Sequence, residues 1–391
     1  MKHIYFDYAA STPLDIRVER AMRPYFLKHF GNPGSLHYFG QEAIAAVDAS
    51  REKLARLINA DFREVVFTGS ATEANNLALR GAVRAWQEQH IGVQPRVVVS
   101  AIEHESVLET VRDLARDGVE VVYLPVDRAG VVSLTALRSA FNERTVIVSI
   151  MYANNEIGVV QPVVEIAKII AEFKKTARYP LFHADAVQAF QFLNCDVRVL
   201  GVDMMTLSAH KIYGPKGIGL LYAKNATAEP SYIRGEIAGG GQEFGLRSGT
   251  ENVPLIVGFA KAAEIALAVQ KKEAKRTLII RNYLLKNIKK IFPAAEVNGG
   301  VDDNAAVATL PNILNVYIPD HTAEDMVVKL DLAGIAVSAG SACRARALTS
   351  SHVVEALGYA KERAKSSLRF SLGRQTKKEE VVKLFDRLVG I

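Results

Sequence analysis

Ser208-Ala209-His210-Lys211-Ile212-Tyr213-Gly214-Pro215-Lys216-Gly217 lies between two short apolar runs, residues 204–207 and 218–222. The order is a strand, a polar turn that presents a lysine, a Gly-Pro pair that forces an irregular path, and a second strand. Ligands of open α/β sheets sit outside the carboxyl ends of the strands. A lysine at such a place, partly desolvated, has a lowered pKa and can form a Schiff base with a carbonyl compound. Taken alone, the same ten residues also describe a surface lysine in a turn. The rest of the chain separates the two readings.

Further apolar runs occur at residues 64–68, 97–100, 120–124, 146–150 and 181–184. Several are continuous rather than alternating, as expected of parallel strands covered on both faces. Helical patterns fall between them at 71–89, 105–117, 134–141 and 163–174. Strand–helix alternation of this kind predicts an α/β fold with a mostly parallel sheet. Near residue 260 the character changes. Residues 261–290 read as one long helix rich in Ala, Lys and Leu, and shorter pieces follow at 312–318, 323–333, 336–338, 352–357 and 377–389. The expected organisation is a large domain over 15–262 and a smaller α+β domain built from 1–14 and 263–391.

The chain has 391 residues, with 48 Lys and Arg against 42 Asp and Glu. The resulting charge of +6 is spread along the chain without long blocks of one sign, so direct nucleic-acid binding gains no support, although a weak preference for acidic partners fits. Cys195 and Cys343, two thiols in a chain this long, are not a disulfide framework and fit a reducing compartment. The first residues, Met1-Lys2-His3-Ile4-Tyr5-Phe6-Asp7, lack the apolar core of a signal peptide, and no membrane span is expected. These features predict a cytoplasmic protein.

Two other clusters bear on the lysine. Thr68-Gly69-Ser70-Ala71-Thr72-Glu73-Ala74-Asn75 joins a strand to a helix. Small residues and hydroxyls at a helix N-terminus offer free N–H groups to a phosphate, while the same pattern serves as a simple cap with an acid three residues on. His183-Ala184-Asp185-Ala186-Val187-Gln188 puts a carboxylate just past a strand end. Such an aspartate can keep a pyridine nitrogen protonated, or can cap a helix. Cys343 lies in a run of Ala, Gly, Ser and Arg without apolar periodicity, which reads as a loop. Arg344 and Arg346 beside it favour the nucleophilic thiolate. Cys195, after Phe190-Gln191-Phe192-Leu193, fits a buried structural thiol better.

Taken together, these segments resemble the class V aminotransferase superfamily, and within it the cysteine desulfurases of the NifS/IscS type. The resemblance covers nearly the whole chain. It runs from Tyr5-Phe6-Asp7-Tyr8-Ala9-Ala10-Ser11-Thr12-Pro13 and Gly31-Asn32-Pro33 through the Thr72 loop, Glu103-His104 and Asn154-Asn155-Glu156-Ile157-Gly158. It continues through Asp185, Gln188, Lys211 and Arg247-Ser248-Gly249-Thr250, and ends on Ser338-Ala339-Gly340-Ser341-Ala342-Cys343 and Arg369-Phe370-Ser371-Leu372-Gly373.

The resemblance implies a fold-type I enzyme that uses pyridoxal 5′-phosphate (PLP) and needs no metal. It makes Lys211 the residue that holds the cofactor covalently. Ala71, Thr72, Ser208 and His210 then bind its phosphate, Asp185 its ring nitrogen and Gln188 its ring oxygen. His104 stacks on the ring and moves protons, and Asn155 and Arg369 hold the substrate carboxylate. Thr250 is similar to a residue that reaches the phosphate of a neighbouring subunit, which implies a homodimer. The implied reaction takes sulfur from L-cysteine, releases L-alanine and leaves a persulfide on Cys343. An acceptor protein, such as an iron–sulfur scaffold or a tRNA-thiolation carrier, then receives the sulfur.

Departures from the family pattern are Arg344 and Arg346 after the loop cysteine and Gly34 after Asn32-Pro33, none of which removes a catalytic group. Three rival readings differ from this one in what they require of the chain. A transaminase needs no loop thiol. A selenocysteine lyase shares the chemistry and is separated by its products. A non-catalytic assembly subunit would have lost Lys211, His104 or Cys343, and all three are present.

Overall fold

A computed structural model describes residues 3–300, 307–340 and 350–388. The chain opens on a two-residue strand, β1 (Ile4–Tyr5), followed by α1 (Ile16–Met22), α2 (Pro24–Leu27) and α3 (Tyr38–Leu57). Asp15 caps α1 by accepting from the Arg17 N–H, and Pro24 opens α2, where its missing donor costs nothing. α3 has no counterpart among the helices expected from the sequence. Its buried face, Ala43, Val47, Leu54 and Ala55, is made mostly of small residues, and that weakens the periodic signal.

The central sheet follows as strand–helix units: β2 (Val65–Thr68), α4 (Ala71–Gln89), β3 (Arg96–Ser100), α5 (Glu105–Arg116), β4 (Glu120–Leu124) and α6 (Leu134–Ala140). It continues through β5 (Thr145–Ser149), α7 (Val163–Lys174), β6 (Leu181–Asp185), α8 (Val197–Leu200), β7 (Met204–Ser208) and β8 (Gly219–Ala223). The spatial order is β2-β8-β7-β6-β5-β3-β4. From β3 to β7 every pairing is parallel, whereas β8 pairs antiparallel with both β7 and β2. The exception has a covalent cause. β7 and β8 are joined by the lysine-bearing turn with no crossover helix, and so short a link can only reverse the chain. Each residue of β5, β6, β7 and β8 is buried, in keeping with their unbroken apolar runs.

The long helix is α9 (Val253–Ile291), which begins eight residues before the expected position 261. The Asn252 side chain accepts from Leu255 N–H and Pro254 sits in the first turn, so the start carries ordinary helix signals. The shift in composition near 260 marks where the helix becomes more exposed, not where it starts. Ile256, Phe259 and Ala263 on its first half belong to the core under the large sheet. Ile280, Leu284 and Ile288 on its second half pack into the core of the small sheet. By length and composition α9 would suffice to cross a membrane, yet half of its most apolar stretch is buried inside this protein.

The remaining elements are β9 (Glu296–Val297), β10 (Ile313–Tyr317), α10 (Ala323–Leu332), β11 (Ile335–Ala336), α11 (His352–Ala356), α12 (Lys361–Lys365), β12 (Ser367–Ser371) and α13 (Lys378–Leu388). β10 pairs antiparallel with β12 on one side and β9 on the other, while β1 pairs parallel with β11. Ile4 and Phe6 thereby join the core that contains Leu314, Leu330 and Phe370. The piece expected at 336–338 corresponds to the two-residue β11, and β12, which carries Arg369, has no counterpart among the pieces expected from the sequence.

Candidate active site

The carboxyl ends of the parallel strands open into a cavity of about 380 Å³. Lys211 reaches it from the short turn after β7. Its ammonium donates to the carbonyls of Ala9 at 2.6 Å and Ala10 at 2.8 Å, so the segment after β1 closes one wall. Gln188 donates to the same Ala9 carbonyl at 3.0 Å.

One end of the cavity is lined by Ser70, Ala71 and Thr72 at the N-terminus of α4, with Ser208 and His210 beside them. The Ser70 side chain caps α4 by accepting from Glu73 N–H at 3.1 Å. First-turn N–H groups have no carbonyl one turn back, which makes this end a natural anion site. The approach is close enough to need a glycine. A Cβ on Gly219 would lie 2.4 Å from the Ser70 carbonyl carbon. Glu73 braces the turn by accepting from Gly69 N–H and from Arg247 Nε. Burial, with help from Lys211 and Lys216, pushes the His210 imidazole down to about 4, so it is neutral at physiological pH.

Asp185 ends β6 at the other side. Its Oδ1 accepts from Val187 N–H at 3.0 Å and its Oδ2 from Asn75 Nδ2 at 2.9 Å. His104 caps α5, and its Nδ1 faces both the Ser106 N–H at 3.1 Å and Ser106 Oγ at 2.8 Å. Just behind it Glu103 is fully buried. Burial pushes its carboxyl up to about 8 against the opposing donors Ser100 Oγ at 2.5 Å and Met151 N–H at 2.8 Å.

Arg369, 1% exposed, forms the third wall. One guanidinium nitrogen donates to Asp7 at 2.7 Å and another to the Asn155 carbonyl at 3.0 Å. Its Nε has no hydrogen-bond acceptor among the described residues, an unusual state for a buried donor and one that a carboxylate would relieve.

The structure therefore brings together Lys211, His104, Ala71, Thr72, Asn155, Asp185, Gln188, Ser208, His210 and Arg369 on one cavity. Thr250 is exposed and lines a separate depression that shares only Gly217 and Ile218 with it. Cys343, Arg344 and Arg346 lie outside the described residues. On either side of that segment Ser338 is paired with Arg369 through two backbone hydrogen bonds, and Ser351 Oγ donates to Glu156. Burial pushes the Cys195 thiol strongly up, which leaves it unreactive. The sequence reading gave no role to Asn75 or Ser106. Asn75 stands on the buried face of α4 with Ala74 and Ala78, and a polar residue at such a position is the signal that would have marked it.

The description of the class-V aminotransferases matches residues 4–384. The chain is 40% identical over 390 residues to the cysteine desulfurase IscS of Dictyoglomus turgidum, covering all of this chain and 94% of that one. Its structure is similar to that of a NifS-like protein, with TM-score 0.88, 35% identity, and coverage of 99% of this chain and 98% of that one. It is also similar to SspA in complex with cysteine, with TM-score 0.78 and 36% identity over 94% of this chain and 98% of that one.

Proposed function

The chain belongs to the class-V aminotransferase family and is a PLP-dependent cysteine desulfurase, and we propose that Lys211, Asp185, His104 and Arg369 carry its reaction with Cys343 as the sulfur acceptor. The donor set fits the cofactor. First-turn N–H groups at Ala71 and Thr72, with Ser208 and His210, suit a phosphate. The Asp185 carboxylate suits a protonated ring nitrogen, Gln188 the ring oxygen, and Lys211 the covalent link. Once bound, PLP supplies an electron sink that acidifies the substrate Cα–H bond and weakens its Cβ–S bond.

Arg369 and Asn155 hold the cysteine carboxylate. Lys211, as the free amine, takes the Cα proton and returns one. His104 donates a hydrogen bond within the cavity. The Cys343 thiolate attacks the substrate sulfur, the S–S bond forms as the C–S bond breaks, the electron pair left on Cβ takes up a proton, and the carbon skeleton leaves as L-alanine. The single observation behind this assignment is the convergence of Lys211, Asp185 and Arg369 on one cavity with a helix N-terminus at its end.

The wider reading includes a homodimer in which Thr250 serves the partner's phosphate. It also includes transfer of the persulfide sulfur to an acceptor protein, such as an iron–sulfur scaffold or a tRNA-thiolation carrier. Arg344 and Arg346 favour an acidic docking face on that acceptor. The proposed units are 15–262, and 1–14 with 263–391. The two-sided packing of α9 and the place of Ile4 and Phe6 in the small-sheet core support this division. The proposed compartment is the cytoplasm, on the strength of a chain with two thiols.

The test is incubation of the purified protein with L-cysteine, followed by alanine measurement and alkylation mapping of the persulfide. Alanine should form, Lys211→Ala should abolish it, and the persulfide should map to Cys343. Persulfide on Cys195, or undiminished alanine from Cys343→Ser, would overturn the assignment.

A further inference from the structure

Asp185, Asn75, Ser106 and His104 form one continuous hydrogen-bonded chain across the floor of the cavity. Asn75 is fully buried and its Nδ2 touches Asp185 Oδ2 at 2.9 Å and Ser106 Oγ at 2.8 Å. Ser106 Oγ in turn lies 2.8 Å from His104 Nδ1. The protons along this chain can be assigned one by one. A carboxylate only accepts, so the Asn75 amide must present nitrogen to Asp185. That nitrogen has two hydrogens, and the second goes to Ser106 Oγ. Ser106 Oγ therefore accepts from Asn75 and has its own hydrogen left for His104 Nδ1.

A second and independent contact fixes the last step. The backbone N–H of Ser106 points at the same His104 Nδ1, at 3.1 Å. A backbone N–H cannot become an acceptor, so Nδ1 must be the unprotonated nitrogen. A neutral imidazole then has its hydrogen on Nε2.

We propose that Asn75 and Ser106 are positioning residues that lock His104 in the neutral tautomer with the proton on Nε2, so that His104 enters the reaction as a donor and not as a base. The proposal rests on the desulfurase reading of the cavity and assigns the proton inventory of its histidine. It leaves proton abstraction to Lys211. It also links the residue assigned to the ring nitrogen, Asp185, to the residue assigned to the ring face, His104, through two side chains that need not touch cofactor or substrate.

The charged surroundings of His104 are mixed. Asp185, His210, Lys211, Lys216 and Arg369 share the cavity with it, and Glu103, Glu105 and His352 pack behind. Within this mixed field the two Ser106 donors act directly on Nδ1. Protonating Nδ1 would forfeit the Ser106 N–H contact and force the Ser106 hydroxyl to turn from donor to acceptor.

The experiment is ¹⁵N NMR of histidine-labelled holoenzyme, with the His104 signals identified by their loss in His104→Gln. At neutral pH the parent should show a protonated Nε2 and an unprotonated Nδ1 on His104. In Ser106→Ala one of the two donors is gone, and His104 should take its second proton at a higher pH than in the parent. Ser106→Thr keeps the hydroxyl and should restore the parent midpoint. Turnover in Ser106→Ala should fall roughly threefold to tenfold in kcat with KM unchanged, the size of one neutral hydrogen bond. A proton on Nδ1 in the parent, or an unchanged midpoint in Ser106→Ala, would overturn the proposal. Because the tautomer is read without turnover, its failure is distinct from failure of the desulfurase reading, which the parent's alanine production tests.

Discussion

Glu103, His183 and His210 all lie within or beside strand ends that open on the cavity, and burial moves each toward its neutral form. Glu103 rises to about 8, while His183 and His210 fall to about 4. The fully buried His183 bridges Ser149 Oγ at 2.8 Å and Thr206 Oγ1 at 3.0 Å, one contact on each neighbouring strand. Neutral groups can be packed this tightly without a counter-ion, and the charged residues of the site are thereby restricted to the cavity surface.

A pH prediction follows for Glu103. Its folded-state pKa lies above the ordinary value of 4.5, so the folded protein binds the proton more tightly than the unfolded chain does. The stability it contributes is complete below pH 4.5 and is lost as the pH rises to about 8. In Glu103→Gln that loss should vanish, at roughly 1.4 kcal/mol per pH unit across the window. Urea midpoints of parent and variant, taken at about pH 5 and about pH 8, should diverge in favour of the variant at the higher pH. Parallel midpoints would refute the raised pKa.

At the scale of elements, α3 does more than cover the sheet. Arg51 on α3 pairs in two-pronged fashion with Glu243, at 2.6 and 2.7 Å, and donates to the Val65 carbonyl at 2.6 Å. Its guanidinium lies 4.8 Å from the ring centre of Phe67 and 5.0 Å from that of Phe244. Glu243 also accepts from Phe67 N–H on β2, so one buried ion pair ties α3, β2 and the glycine-rich segment before Thr250. Glu243 and Phe244 have φ of 49° and 59°, a strained turn that this pair holds in place. Arg51→Leu leaves a buried carboxylate unpaired and should cost roughly 3–5 kcal/mol. Arg51→Leu with Glu243→Leu should cost less than the two single changes summed. Denaturant midpoints over the double-mutant cycle measure this, and strictly additive effects would show that the pair is not coupled.

For the whole molecule, the cavity of a single chain is bounded by parts distant in sequence. β1's following segment, the β7–β8 turn and β12 meet there, and α9 ties the core of one sheet to that of the other. What one chain leaves apart is Thr250, exposed in the neighbouring depression. Leu27, Phe30, Leu36 and Tyr38 are each more than two-thirds exposed. If Thr250 completes the partner's phosphate site, Lys211→Ala and Thr250→Ala subunits should complement each other. In a mixed dimer both lesions fall on one site and leave the other whole. Random reassociation should then recover roughly a quarter of parent activity, since half the dimers are mixed and each has one working site. No recovery in verified mixed dimers would rule out a shared site.

The parallel sheet, its helices and the lysine turn were legible because they depend on local regularities. Buried strands are continuous apolar runs, and α4 and α7 end where their periodicity ends. Lys211, Asp185 and the Thr72 turn each sit at a strand end, but their neighbours alone also describe a surface lysine and two simple helix caps, and only the order of motifs along the whole chain favours a cofactor site. The early start of α9 and the antiparallel β8 had local signs, Asn252 and Pro254 for one and a link too short for a crossover helix for the other, but the composition shift near residue 260 and the parallel units around them pointed elsewhere. What depended on distant residues was not legible. β12 showed its meaning only once β10 lay beside it. Asn75 and Ser106 are 31 residues apart, and Asp185 lies 110 beyond Asn75. A hydrogen bond across such separations leaves no periodic trace in the chain. The Ser106 N–H that marks His104 Nδ1 as the acceptor is local, but only the folded backbone, by setting α4, α5 and β6 side by side, brings in the Asn75 amide that turns the Ser106 hydroxyl toward the same nitrogen.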